Sequence, residues 1–418
     1  MGLEASHGQR AEHPWRDRWR MAPLLLVAAL GLTGCSGGTA VESAAPAPSP
    51  AWDHVMATPG TDPLPEATGE ALQSVLEDLL TKADMPGATA AVVSADGVWQ
   101  GASGTDGAGT ELVPDSAMAL MSITKTFTGA AVMGLVEDGR VALDDPIDTY
   151  VDLPFETDGA TVRQVLNMRS GFPNNRWPEP VNSAAIADDL DRAWTSEEIL
   201  GLHRGAMDSA GELGGEQVYS DLNSWALQAL VEEVTGDPMA EIVRSRFADP
   251  AGLDRTWWQD AEQPEPPLTV AEGLAGITTV DPDGPWLPSR SWATAVGPAA
   301  GMAASAADVA RWGYLLYGSY LLRPETVAQM TQSGQPAGYP CLGYKEFTCY
   351  YGLHTWLFDD VSHGHSGDGL AYHTIMRVWP EDDISVSVLV PAPLESAKYG
   401  SPWIGDLVAD FRSALLGP

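Results

Sequence analysis

The stretch that most constrains this chain is Met121-Ser122-Ile123-Thr124-Lys125-Thr126-Phe127, which predicts the start of a buried helix. From Ile123 onward the apolar residues repeat at helical spacing, at Ile123, Phe127, Ala130, Ala131 and Leu135. The residues between them are also small or apolar, and a helix that is apolar on nearly every face belongs in a core. Gly139 is predicted to end this helix, in the position where a left-handed glycine commonly stands.

Ser122 and Lys125 place a hydroxyl and an amine on one face of this core helix, about one turn apart. A buried lysine is costly unless it is neutral or well paired. An amine with a lowered pKa beside a serine hydroxyl would activate that serine as a nucleophile, and the helix N-terminus would favour a developing oxyanion. The alternative is that Ser122 only caps the helix and Lys125 extends to the surface.

Residues 1–35 have the layout of a bacterial export signal, with arginines before an apolar run that is too short to span a membrane comfortably. The run ends at Leu32-Thr33-Gly34-Cys35, which resembles a lipobox and implies that Cys35 is lipidated. A lipidated Cys35 would anchor the protein to the outer face of the bacterial cell membrane. The alternative is an ordinary signal peptide with a chance cysteine.

Residues 36–65, rich in Pro, Ala and Ser, are predicted to form a linker, and residues 66–417 are predicted to form a folded domain.

The composition limits the classes of partner that this protein is expected to bind. The net charge is −35, from 57 acidic and 22 basic residues, which argues against nucleic acid and against electrostatic docking on anionic lipid. Cys341 and Cys349 are predicted to form a disulfide in an exported protein, the alternative being two free thiols. His363-Gly364-His365 has no second cluster to supply further ligands, so neither a metal nor another cofactor is predicted.

The coarse secondary-structure pattern predicts an α/β (α+β) fold. Strand patterns occur near both ends of the domain, as hairpins over 87–101 and 372–391. Helical patterns cover residues 67–83, 161–168, 221–234, 239–247, 303–317 and 404–416. Together they predict one antiparallel sheet built from N- and C-terminal strands and flanked by helices, with an all-helical insertion at about 141–290.

Two further polar clusters stand at element edges, Tyr219-Ser220-Asp221 and Gly364-His365-Ser366-Gly367-Asp368-Gly369. With Ser122-x-x-Lys125 they make an ordered trio that resembles the serine β-lactamase and penicillin-binding-protein superfamily. That superfamily includes class C β-lactamases, D-Ala-D-Ala carboxypeptidases and related esterases, and it uses Ser-x-x-Lys, Tyr-x-Asn and Lys/His-x-Gly in this order. The resemblance covers about residues 67–416 and implies a β-lactamase/transpeptidase-like fold.

The resemblance also implies roles. Ser122 would attack an acyl carbonyl and carry the acyl-enzyme, while Lys125 and Tyr219 share the proton transfers, with either as the general base. His365 would lie beside Tyr219, orienting it or stabilising charge. The backbone N–H groups of Ser122 and Asp368 would form the oxyanion hole.

The chain departs from the family at two positions. Asp221 replaces the asparagine that, with Gly367, contributes to substrate binding; a carboxylate can only accept hydrogen bonds, and paired with Lys125 it would keep the lysine charged and favour Tyr219 as base. Asp368 stands where β-lactamases and carboxypeptidases place a Ser or Thr to meet a substrate carboxylate. Asp368 would repel an anionic substrate, and Arg377 is the only nearby arginine to compensate.

The sequence therefore predicts a lipid-anchored, exported serine hydrolase that acts on an ester, or on an amide or peptide that is neutral or cationic near Asp368. Its partners would be that small-molecule or peptide substrate and, through Cys35, the membrane. A D-Ala-D-Ala carboxypeptidase or class C-like β-lactamase is the nearest alternative. A penicillin-binding sensor that acylates without turnover and a cell-wall-associated structural protein with relic motifs are the others.

Overall fold

The computed structural model describes residues 55–83, 85–106, 108–172, 183–203, 212–271, 281, 284–332, 349–358, 362–369, 371–392 and 401–417, which all belong to one compact unit, Pro46–Pro418. The predicted signal segment, Cys35, most of the linker and Cys341 lie outside these residues. Their assignments, and the Cys341–Cys349 disulfide, stay predictions.

The described strands are β1 (Gly87–Ser94), β2 (Gly97–Gly104), β3 (Met118–Ala119), β4 (Thr256–Trp258), β5 (Met302–Ala304), β6 (Cys349–Tyr351), β7 (Trp356–Phe358), β8 (His363–Asp368), β9 (His373–Trp379) and β10 (Ile384–Val390). The described helices are α1 (Glu66–Ala83), α2 (Thr124–Glu137), α3 (Val162–Leu166), α4 (Ser183–Asp188), α5 (Ser196–Gly201), α6 (Leu222–Thr235), α7 (Met239–Val243), α8 (Asp249–Ala251), α9 (Arg290–Ala300), α10 (Ala306–Tyr317), α11 (Pro324–Met330) and α12 (Ser401–Leu416). None of these helices is both long and apolar enough to cross a lipid bilayer.

The main sheet confirms the predicted fold class. Its strand order is β2-β1-β10-β9-β8-β7-β6, and every neighbouring pair is antiparallel. The N-terminal hairpin β1–β2 thus completes a sheet whose other strands come from the C-terminal part of the chain. This pairing sets β8, which carries the third polar cluster, three strands away from β1.

Helices cover both faces of this sheet. Side chains of β1 alternate between two apolar clusters: Ala88, Ala90 and Val92 join the cluster of α1 and α12, whereas Ala91 and Val93 join the cluster of α10 and α2. Because both faces are covered, β1 is buried along its whole length.

A small second sheet corrects the prediction of an all-helical insertion. β4 lies within 141–290 and pairs with β5, which also pairs with β3 just before the serine turn. Because β5 takes up residues 302–304, the predicted helix 303–317 begins only at Ala306. The Ser305 hydroxyl caps this helix by accepting a hydrogen bond from the Asp308 N–H at 3.2 Å. Periodicity cannot distinguish a three-residue apolar strand such as β5 from the first turn of a helix.

The predicted core helix is confirmed as α2, preceded by a 3₁₀ turn over Met121–Ile123. Every residue from Thr124 to Leu135 is buried, and Phe127 stacks on Trp312 of α10 with ring centroids 3.9 Å apart. Gly139 follows the helix with φ of +68°, a left-handed conformation that glycine adopts without steric cost. The serine turn lies directly before α2 and packs against β8, an interior strand of the main sheet.

Candidate active site

Ser122 lies in the 3₁₀ turn before α2, and the structure shows that it is not a helix cap. The N-cap of α2 is Ile123, and no side chain caps that end. The preceding Met121 has φ of +51°, which is unusual for a residue with a side chain. Gly367 of β8 packs on this turn so closely that a Cβ there would stand 2.5 Å from the Leu120 carbonyl oxygen. The glycine of the third cluster is therefore required for β8 to approach Ser122.

Lys125 is completely buried and donates to three acceptors, so the alternative of a surface lysine is wrong. Its Nζ lies 2.7 Å from Asp221 Oδ1, 2.9 Å from the Ala299 carbonyl oxygen and 3.3 Å from Ser122 Oγ. An ammonium group has three N–H bonds and no lone pair, so this geometry satisfies it fully. Asp221 makes no side-chain cap on its own helix α6, which leaves its carboxylate for the lysine.

A kink in α9 supplies the second of these acceptors. Gly297 has φ of +32° and ψ of −113°, and Pro298 follows inside the helix. A Cβ at Gly297 would stand 2.6 Å from the Trp225 ring, so only glycine fits there. Past the kink, the carbonyl of Pro298 accepts from Thr128 at 2.7 Å and that of Ala299 accepts from the lysine. The kink thus turns two backbone oxygens toward buried polar groups of α2.

The protonation states differ from the simple expectation of a neutral lysine. Burial lowers the pKa of Lys125, but the Asp221 carboxylate and Tyr219 raise it more, so the pKa ends above its usual value. Burial raises the pKa of Tyr219, against the opposing effects of Lys125 and of hydrogen bonds with Lys125 and Ser122. The resting site therefore holds a cationic lysine and a neutral phenol. The predicted pairing of Lys125 with Asp221 is present, and with it the lysine pKa is raised rather than lowered, as that pairing implied.

Tyr219 is buried directly beside the lysine, whose Nζ lies 4.8 Å from the centre of the phenol ring. Because its hydroxyl reaches both Ser122 and Lys125, Tyr219 is placed to exchange protons with the serine and with a leaving group. Its role as general base stays a prediction, since the phenol must first lose its own proton.

His365 lies on β8 beside Tyr219, with ring centroids 6.4 Å apart, but it hydrogen-bonds elsewhere. Its Nδ1 is 2.6 Å from the Ser366 carbonyl oxygen and its Nε2 is 3.2 Å from the Tyr351 hydroxyl. Burial, and then the charge on Lys125, hold the pKa of His365 well below its usual range. His365 is consequently neutral, and its predicted role in orienting Tyr219 or stabilising charge stays a prediction.

Asp368 ends β8, and its partner is a histidine; Arg377, the only nearby arginine that could offset its charge, lies elsewhere. The Asp368 Oδ1 is 2.6 Å from Nδ1 of His373, which stands directly opposite on β9. Arg377 lies four residues further along β9, where its Nε donates to Ser362 Oγ at 2.9 Å and its guanidinium covers the Phe358 ring at 3.9 Å. The Asp368 side chain remains 13% exposed, so the carboxylate can meet a substrate.

The backbone of Asp368 suits the predicted oxyanion hole. The next residue, Gly369, donates its N–H to the Tyr372 carbonyl at 3.1 Å across the β8–β9 ladder. In an antiparallel pair the N–H groups of successive residues alternate in direction, so the N–H of Asp368 points away from β9. That N–H and the one of Ser122 are the predicted donors, and their joint action on an oxyanion stays a prediction.

Three functional partners were not identified from the sequence: the Ala299 carbonyl, Tyr351 and His373. Gly297-Pro298 was a signal for the Ala299 carbonyl, since a proline inside a helical pattern predicts a kink. The tight connection between β8 and β9 was a signal for His373, because it sets this residue opposite Asp368. Nothing in the local sequence marks Tyr351. Within the residues that the structure describes, no three His, Cys, Asp or Glu side chains are grouped closely enough to hold a metal ion.

Comparison with known proteins gives a matching family model and several similar proteins. The family model described as Beta-lactamase matches residues 72–407. The putative penicillin-binding protein PbpX of Bacillus subtilis (strain 168) is 25% identical over 220 residues, which cover 52% of this chain and 51% of that protein. The D-aminopeptidase of Brucella anthropi is 29% identical over 146 residues, 35% of this chain and 27% of that protein.

Solved structures extend the similarity to the whole fold. The D-amino acid amidase from Ochrobactrum anthropi SV3, complexed with D-phenylalanine, superimposes with a TM-score of 0.70 at 22% identity, covering 84% of this chain and 99% of that one. The chain spans about half of the length of the first curated relatives that it matches.

Proposed function

This chain belongs to the beta-lactamase family, and from that premise we propose that it is a serine hydrolase of amides, peptides or esters that works through an acyl-enzyme on Ser122. The observation that carries the proposal is the contact set of Lys125, whose Nζ joins Ser122, Asp221 and the Ala299 carbonyl within 3.3 Å. A fully buried amine held against a serine hydroxyl has a clear use in nucleophilic catalysis. Proteins similar to this chain support the reaction class, since they include a D-aminopeptidase and a D-amino acid amidase.

The proposed reaction follows from the positions of the side chains. Ser122 Oγ attacks the substrate carbonyl and passes its proton to the Tyr219 oxygen, while the phenol's own proton passes to the leaving amine or alkoxide, so Tyr219 stays neutral and the Lys125 ammonium stays paired with Asp221. The backbone N–H groups of Ser122 and Asp368 stabilise the tetrahedral oxyanion. A water molecule attacks the resulting ester in the second half, with the same groups acting in reverse, and releases the acid and free Ser122.

The electrostatics favour a substrate that carries no carboxylate near Asp368. His365 is neutral, and Lys125 is already paired with Asp221. Asp368 adds a carboxylate at the end of β8, and Arg377 is turned to Ser362 and Phe358 instead. A substrate with an amine or an uncharged group at this position avoids repulsion. This argument works against the D-Ala-D-Ala carboxypeptidase and β-lactamase alternatives, whose substrates are anionic.

The test of this selectivity uses Asp368→Asn. We expect the wild-type protein to hydrolyse phenylalanine p-nitroanilides, in D or L form, with a free or acetylated amine at least about tenfold better than the N-succinyl derivative. Asp368→Asn removes the charge but keeps an acceptor for His373, so the disadvantage of the succinyl substrate should shrink about five- to tenfold. The measurement is kcat/KM for the three substrates at low and high salt.

Asp96→Asn, at an exposed position between β1 and β2, is the control for a general change of net charge. It should leave the ratio of succinyl to acetyl substrate unchanged. Equal selectivity in wild type and Asp368→Asn would remove Asp368 from substrate recognition, and rapid turnover of a penicillin by the wild type would contradict the whole substrate assignment.

We further propose that the protein is exported and held at the membrane through Cys35, which rests on the signal-like pattern of residues 1–35. Cys35→Ala should move the protein from the membrane fraction to the soluble fraction and abolish incorporation of a fatty-acid analogue in a bacterial host. Ser36→Ala serves as the control and should change neither. Membrane association that survives Cys35→Ala would contradict the anchor.

A further inference from the structure

A cavity of about 410 Å³ lies at the β2 end of the main sheet, between β1, β2, α10 and the segment that precedes α1. Its volume falls in the range of ~300–1,000 Å³ that small-molecule sites occupy. In the sheet order β2 lies four strands from β8, which is about 19 Å at the usual spacing of neighbouring strands. The cavity is therefore separate from the site at Ser122.

The segment over residues 56–64, which we call the strap, closes one side of this cavity. It belongs to the stretch that the sequence predicts as a linker, and the structure docks it on the domain at both ends. Near its end the Leu64 N–H donates to the Val98 carbonyl of β2 at 2.9 Å. Near its start the Ala57 carbonyl accepts from the Tyr314 hydroxyl of α10 at 2.8 Å. The strap thus supplies a wall that β2 and α10 both hold in place.

The walls that the sheet and α10 supply are apolar. Ala91 and Val93 of β1 line the cavity and are 1% and 4% exposed, and Val98 of β2 and Ala307 of α10 line it beside them. All four belong to, or pack against, the apolar cluster on the α10 face of the sheet. Ala307 carries only a methyl group, which leaves room next to β2. A ligand with an apolar body would remove this surface from water, and its binding is favoured for that reason.

Arg311 of α10 brings a positive charge to the same cavity. Its Nε donates to the Ala251 carbonyl, and no carboxylate among the described residues forms an ion pair with it. Its two terminal nitrogens keep N–H donors in the planar arrangement that matches a carboxylate. Asp308 also borders the cavity, but its Oδ2 already accepts from the Arg255 N–H at 2.7 Å and from the Thr256 hydroxyl at 2.9 Å. Arg311 is therefore the group here whose charge lacks a partner.

We propose that this cavity binds a single-chain amphiphile with a carboxylate head group, such as a medium-chain fatty acid. The alkyl chain lies against Ala91, Val93 and Val98, and the carboxylate pairs with the free N–H groups of Arg311. An alcohol of the same length would bind through its chain alone, and an alkyl amine would be repelled by the guanidinium. The inference does not depend on the hydrolase activity, because the cavity and the serine turn are separate parts of the described structure.

The test is isothermal titration calorimetry of the whole chain at low salt with octanoate, octan-1-ol and octylammonium. We expect saturable binding of one octanoate per chain, at least about tenfold tighter than binding of the alcohol, and octylammonium no tighter than the alcohol. Arg311→Gln should weaken octanoate binding about tenfold and leave the alcohol unchanged, because it removes only the charge. Ala307→Trp should abolish binding of both, because the indole fills the cavity.

Arg163→Gln is the matched control, since it makes the same change of net charge at an exposed arginine that pairs with Asp144. It should leave all three titrations unchanged. No saturable binding of octanoate, octylammonium binding as tight as octanoate, or equal octanoate affinity in wild type and Arg311→Gln would each overturn the inference. Thermal unfolding confirms that the variants fold, and Arg311→Gln decides alone if Ala307→Trp does not. The titrations require no turnover, so failure of the proposed function and failure of this inference are distinguishable.

Discussion

Replacing Ser122 with alanine is expected to lower kcat/KM for amide and ester substrates by roughly 10⁴-fold or more, with little change in the free energy of unfolding. Ser122 is half-buried, caps no helix and lies 3.3 Å from the lysine, so its hydroxyl serves chemistry more than packing. Without the hydroxyl no acyl-enzyme forms, and Lys125, Tyr219 and the oxyanion donors have no nucleophile to assist.

Initial rates and intact mass after brief exposure to an activated acyl ester are the measurements. Ser74→Ala is the control, an exposed serine of α1 whose hydroxyl only meets the Glu70 carbonyl. Product without a lasting adduct in the wild type means turnover, whereas a persistent adduct on Ser122 would favour the sensor alternative. Activity of Ser122→Ala within tenfold of wild type would place the nucleophile elsewhere.

Replacing Asp221 with alanine is expected to cost about 3–5 kcal/mol of unfolding free energy at pH 7, because it leaves the charge of a completely buried lysine without its counterion. The Ala299 carbonyl and Ser122 hydroxyl remain as acceptors, but both are neutral. Denaturant unfolding at several pH values measures the effect. Asp144→Asn is the control, since it breaks the exposed pair with Arg163 and should cost less than about 1 kcal/mol.

The pH dependence of that deficit follows from the Lys125 pKa. In the wild type burial lowers this pKa, but Asp221 and Tyr219 raise it above its usual value; the stability from the charged lysine is therefore present below the unfolded-state pKa and is lost only as pH rises through the folded-state value. Without Asp221, burial dominates and the folded-state pKa drops below the unfolded one. The unfolded chain then binds more protons, so the Asp221→Ala protein should gain stability relative to wild type as pH rises from 7 toward 10. A deficit that stays constant over this range would mean that Lys125 keeps its charge without Asp221.

The Lys125–Asp221 pair shows how much of the site could be predicted from the sequence. Asp221 stands two residues after Tyr219, and its pairing with Lys125 was inferable once the motifs were placed together. The extent of its effect on the lysine pKa was not, because burial and the carboxylate act oppositely and only their geometry decides the balance. His365 is a similar case: its position beside Tyr219 was predicted correctly, and its hydrogen bond to Tyr351 was not.

Local pattern by itself determined the core helix α2, its end at Gly139, the two hairpins of the main sheet and the order of the three motifs, because periodicity and turn chemistry act over a few residues. Only the tertiary structure decided the short strands β4 and β5, the partner of Asp368 and the protonation states of Lys125, Tyr219 and His365. These depend on groups far apart in the chain, such as the Ala299 carbonyl, 174 residues from the lysine that it meets. The charge of a side chain depends on its burial and on the groups that surround it in space, and the neighbouring residues in the sequence determine neither.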